Sequence, residues 1–142
     1  MNTTTIPAAS EALANQGSVA GRYVRAGLVA GAVAAAVTSA IAIVVDQFGL
    51  TLEAQGKGFP ALAFAQVSLF GAVIGVALAA VFARKARRPR HTFVVTTFVL
   101  TVLSFVPPVL IGAGVGTVLV LELMHIVAAL IVIPAIATRL AE

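Results

Sequence analysis

Cysteine is absent from this sequence. That excludes disulfides, thiolate metal sites, cysteine nucleophiles and cysteine-ligated clusters. Tryptophan is absent too, and a single tyrosine leaves little for an interfacial aromatic belt. Charge is scarce: Asp, Glu, Lys and Arg make up 10% of the 142 residues, against about 25% in an ordinary soluble domain. The remainder is dominated by apolar side chains, 61% of the chain. No water-soluble core absorbs that much apolar surface, so lipid must be the solvent. The formal net charge of +4 does not imply a nucleic-acid surface. The basic residues stand in short segments beside apolar runs, a pattern that sets membrane topology.

Four long apolar runs are present, at 26–45, 59–83, 92–111 and 117–138. They are framed by Arg25 and Asp46, by Lys57 and Arg84, by Arg90 with His91, and by Arg139. Each is close to the roughly 20 residues needed to cross a hydrocarbon core of about 30 Å. The expectation is an all-α membrane protein, a four-transmembrane-helix bundle over 22–142. Residues 1–21, rich in Thr, Ala, Ser and Asn, read as a flexible cytoplasmic tail. Ala40-Ile41-Ala42 would suit signal cleavage, but the apolar run continues past it to Val45 and its basic flank begins far from Met1. The first run therefore reads as a membrane span.

Charge also sets the expected orientation. With the amino terminus inside, Arg22, Arg25, Arg84, Lys85, Arg87, Arg88, Arg90 and Arg139 are cytoplasmic, and Lys57 alone of the nine basic residues is outside. Both termini are then cytoplasmic, in a multi-pass protein of the cell membrane. A reporter after Ala54 reads outside and one after Arg88 reads inside in that topology. The loop 84–90 sets orientation, and its cations can also meet anionic headgroups. The outer loop 46–58 is long enough for local structure, whereas 112–116 is a tight turn.

Small residues recur every fourth position in the first two runs: Gly27, Gly31, Ala35 and Ser39, then Gly71, Gly75, Ala79 and Ala83. Such stripes let helix backbones approach closely. Packing within one chain and a homo-oligomer through these seams both remain open. Pro107 and Pro108 should kink or break the third helix, and Pro134 should bend the fourth.

The candidate site is a polar layer. Glu122 and His125 are the only titratable side chains inside the fourth run. A charged side chain at the centre of a membrane helix costs about 3 kcal/mol on insertion scales. Counting about 1.5 Å per residue from the outer helix ends puts Glu122 roughly 7 Å deep and His125 roughly 12 Å. Ser39, Gln66 and Ser104 fall at roughly 10 Å on the other three helices, with Thr38 and Ser68 close by. Three residues is nearly one turn, so Glu122 and His125 share a face, expected to point into the bundle.

Two readings of this layer stand side by side. In one, Glu122 bonds to His125 and to Ser39, Gln66 or Ser104, and the network pins helix register. In the other, the pair is a proton-titrating or ligand-binding site open to the outside. Metal chemistry fits poorly. The spacing Glu122-Leu-Met-His125 matches the Glu-x-x-His of di-iron bundles, but that chemistry needs a second such motif and further carboxylates. The other acids near the outer edge are Asp46 and Glu53, and His91 lies at the opposite end. A single metal ion held by Glu122, His125 and one of those acids would have only two ligands at helical spacing as support. No phosphate-cradling loop, Gly-x-Ser-x-Gly elbow or His-Glu-x-x-His pattern is present, so neither an enzyme nor a cofactor is expected.

Ser104-Phe-Val-Pro107-Pro108, and Leu121-Glu-Leu-Met124-His125 followed by Ala128-Ala129, resemble a family of small four-helix membrane proteins common in actinobacteria, classed as a domain of unknown function. The resemblance implies a plasma-membrane location and four helices, and brings no activity. In size and helix number the chain also resembles small multidrug exporters. Those carry their essential acid in the first helix, where this chain has none within the membrane.

The expected function is that of a non-enzymatic helical bundle or accessory subunit in the lipid bilayer, with no nucleic-acid partner. The alternative is a small proton-coupled transporter or ligand-binding bundle using Glu122 and His125.

Overall fold

The structure, a computed structural model, describes residues 6–141, with side-chain surroundings from residue 20 onward. The elements in chain order are α1 (Ile6–Gln47), β1 (Glu53–Ala54), β2 (Lys57–Gly58), α2 (Ala61–Lys85), α3 (Pro89–Leu103), α4 (Val106–Leu110) and α5 (Val115–Ala137). Among the described residues, four segments are long and apolar enough to cross a membrane: Ala20–Gln47, Ala61–Lys85, Pro89–Leu110 and Val115–Ala137. The chain is a four-span helical membrane protein, as its composition requires.

One segment differs from the sequence expectation, and the expected break of the third helix falls at a definite place. Helical backbone already occupies residues 6–21, where a flexible tail is expected; residues 1–5 lie outside the described residues. Ala8, Ala9, Ala12 and Ala14 supply high helix propensity there, and Pro7 sits in the first turn, where its missing N–H breaks no helical bond. The third span is interrupted between Leu103 and Val106. The rings of Pro107 and Pro108 would collide with the carbonyls of Leu103 and Ser104, four residues back, so the break falls one turn before the prolines. Pro134 lies inside α5 without ending it.

α1 ends in a pair of bonds typical of a left-handed glycine cap. Gly49, at φ 82, donates its N–H to Asp46 at 2.9 Å, and Leu50 donates to Val45 at 3.3 Å. The chain then forms a two-stranded antiparallel hairpin, Glu53 opposite Gly58 and Ala54 opposite Lys57. Its turn residues Gln55 and Gly56 both have positive φ, 53 and 74, the conformation that matches strand twist in two-residue turns. The hairpin is tied to the bundle. Ala54 bridges Ala113 beside α5, Leu52 is buried in a cluster with Ala42, Phe64 and Met124, and Leu50 packs on Gly116.

α1 packs against α2 and α5, and α3 leans on α2 and α5. The interior between α1 and α2 is built from small residues. A Cβ on Gly31 would lie 2.5 Å from the Ala72 Cβ, and one on Gly27 would lie 2.3 Å from Val76 Cγ2. The α1 stripe thus packs within the chain, and its glycines allow backbone contact that dispersion rewards. At the basic end, where Arg22, Arg25, the 84–90 loop and Arg139 gather, the core is larger: Tyr23, Phe93, Ile136, Ala137 and Leu140 are buried together.

Candidate functional site

The described hydroxyls inside the bundle satisfy themselves mainly on backbone. Thr38, buried, donates from Oγ1 to the Ala34 carbonyl at 2.9 Å and lies 2.9 Å from the Ser68 hydroxyl of α2. Ser39 donates to the Ala61 carbonyl at 3.2 Å, holding α1 to the start of α2. Along α3, Thr97 donates to Phe93 at 2.7 Å, Thr101 to Thr97 at 2.8 Å and Ser104 to Thr101 at 2.6 Å. On α5, His125 donates from Nδ1 to the Leu121 carbonyl at 2.7 Å, because a carbonyl can only accept. In the neutral ring the remaining lone pair is then on Nε2.

The outward stripe of α5 is clear: Val115, Leu119, Leu123, Ile126, Leu130 and Pro134 are exposed. At 3.6 residues per turn, His125 is rotated roughly 120° from the centre of that stripe and Glu122 roughly 60°. Both are half-buried, but they do different things. His125 reaches the interior, and Glu122 stands on the flank without a hydrogen bond or ion pair to any described residue. Gln66 is exposed on α2 and likewise has no hydrogen bond to a described residue. The polar layer therefore does not close into the register-pinning network expected of Glu122, His125, Ser39, Gln66 and Ser104. A depth count gives the level of each group but not the direction in which it faces.

His125 instead opens onto a cavity of about 540 Å³ between α2, α3 and α5. Its polar lining is Thr38, Ser68, Thr97, Thr101, Ser104 and His125; the rest is Phe, Leu, Ile, Val, Met, Ala and Gly. It extends along α2 from Ala63 to Leu78, a rise of about 22 Å. Ser104 and His125 of the expected site meet here, whereas Ser39, Gln66 and Glu122 stay out of its wall. Thr97 and Thr101 are functional candidates that reading by depth alone misses. The signal for them was present: Thr97, Thr101 and Ser104 recur at helical spacing and form one polar stripe on α3.

Among the described residues, no cluster of three or more His, Asp or Glu side chains forms that would hold a metal ion. Asp46 lines a second, smaller hollow with Gln47, Thr51 and Pro60 beside the hairpin, away from His125.

Fold and site together define a class: a multi-pass helical membrane protein with a side cavity that carries one imidazole. The chain belongs to a family of unknown function (DUF6069), whose profile matches residues 18–142. No curated protein and no solved structure matches it.

Proposed function

We propose that this chain is a non-enzymatic membrane bundle that takes a small apolar molecule from the bilayer into the cavity between α2, α3 and α5. The cavity carries the reading. Its volume of about 540 Å³ lies in the range of small-molecule sites, roughly 300–1,000 Å³, and its apolar wall with a few placed polar groups matches their usual chemistry. Binding is favoured over proton-coupled transport because His125 lines the wall and Glu122 does not. The reading takes the cell membrane as the site, and the charge bias of the loops supports a hairpin on its outer side.

Photolabelling tests the reading. A long-chain alkyl diazirine without a polar head should label wild-type protein saturably, with adducts on Met124 or His125. Gly71 lines the cavity, and a Cβ there would meet nothing within 4 Å, so Gly71→Phe fills the space without a backbone clash. That variant should lose the saturable labelling. Labelling that never saturates, or that survives Gly71→Phe unchanged, would sink the proposal.

A further inference from the structure

The hydrogens of the cavity's polar groups are already committed. Thr97, Thr101 and Ser104 each place their hydroxyl hydrogen on a carbonyl of their own helix. Thr38 has the Ala34 carbonyl to donate to, and the arrangement that satisfies both hydroxyls has Ser68 donating to Thr38. His125 spends its Nδ1 hydrogen on Leu121. Lone pairs are what remain: on the oxygens of Ser68, Thr97, Thr101 and Ser104, and on Nε2 of His125. Pro107 and Pro108 add to the same sign. They have no N–H, so the carbonyls of Leu103 and Ser104, at this level, lose their helical donors.

We infer that the cavity selects an uncharged amphiphile whose polar head donates a hydrogen bond, a long-chain alcohol or alkylphenol, with Nε2 of His125 as the principal acceptor. This rests on the cavity-binding reading and gives it a ligand class. A head that only accepts, such as an ether or an ester, finds no donor on the wall. A cationic head is disfavoured for a separate reason. Among the described residues no Asp or Glu lines the cavity, and a cation buried in low dielectric without a counter-charge is strongly penalised. The ligand's direction also follows. Most of the acceptors, Ser68, Thr101, Ser104 and Nε2 of His125, lie toward the hairpin half, with Thr97 nearer the basic end, while the wall from Ile74 to Leu78 on α2 and from Ala128 to Ile133 on α5 is aliphatic. The head lies toward the hairpin and the chain toward the basic end.

The test is competition against the alkyl diazirine label by a matched pair, 4-octylphenol and 4-octylanisole, at equal micelle mole fraction. The two differ in one hydrogen-bond donor. The phenol should compete about fivefold better in wild type, the fold-change that one net hydrogen bond gives. His125→Phe, which keeps a planar ring and removes the acceptor, should bring the ratio close to one while labelling persists. An equal ratio in wild type, with both compounds competing, overturns the donor selection and leaves the cavity reading standing. Failure of both to compete overturns both. An octylammonium probe that outcompetes the phenol would replace the neutral head by a cation and likewise overturn the inference. Thermal unfolding of His125→Phe in detergent, unchanged within error, keeps its result a binding result.

Discussion

Helix α2 shows small residues to two neighbours, and the two sides differ. Toward α1, Ala72 and Val76 meet Gly31 and Gly27 so closely that no Cβ fits between the backbones. Toward α3, Gly71 meets nothing and lines the cavity. The same residue type closes one interface and leaves the other open. The difference lies in the partner. α1 answers with its own stripe of small residues, whereas α3, PRHTFVVTTFVLTVL, contains no glycine or alanine. Bulky residues hold α3 off, and the break before Pro107 prevents it from continuing straight along α2. A small-residue stripe is a packing seam only where a neighbouring helix comes close enough to fill it, as Ala72, Val76 and Ile136 fill the stripe of α1.

The largest expected effect is on the closed side. Gly31→Ala puts two methyl groups, both fixed to backbone, 2.5 Å apart, with no rotamer to relieve them. The helices must separate, at a cost of about 2 kcal/mol, the middle of the range for overpacking. Gly27→Ala should cost less, because Val76 Cγ2 can rotate away. Detergent unfolding midpoints check both. If Gly31→Ala unfolds with wild type, the two sides of α2 are not different and the comparison is broken.

A second, smaller effect separates hydrogen bonds that join helices from those that stay within one. Thr38→Val keeps the shape but removes the bond to Ser68 of α2, and should cost about 1 kcal/mol. Ser104→Ala removes only a bond to its own helix and should leave the unfolding midpoint near wild type. Equal losses in the two variants would show that the Thr38–Ser68 contact does not tie α1 to α2.

Much of this was legible in the sequence for a simple reason. Span positions depend on where apolar runs meet Asp46, Arg84 or Arg139, and the α3 break depends on Pro107 and Pro108; both are local facts. The hairpin loop was expected to hold structure because it was long and polar, and its Gln55-Gly56 turn supplies that structure. The helix through residues 6–21 was not anticipated, because alanine propensity leaves no apolar period to read. The site was legible in level but not in direction. Ser104 and His125 face the cavity, Gln66 faces away, and Ser39 is held by the Ala61 carbonyl. Nor could spacing show whether Gly71 would meet a partner, since that depends on how near α3 comes.

The smallest effect is the sharpest test of the comparison, because its sign reverses. On the open side, Gly71→Ala adds a methyl with no atom of a neighbouring helix within 4 Å. Nothing need move, so the steric term that dominates Gly31→Ala is absent. What remains is backbone entropy: alanine in a helix interior is favoured over glycine by roughly 0.5–1 kcal/mol in water. The variant should therefore unfold at or slightly above the wild-type midpoint. At the same time the methyl shortens the reach into the cavity, so saturable diazirine labelling should fall, though less than in Gly71→Phe. Stability and occupancy then move in opposite directions from a single methyl group. That pattern requires space that is empty of protein yet available to a ligand. A Gly71→Ala variant that is clearly less stable would mean that α3 does close against α2, leaving no cavity for His125 to face.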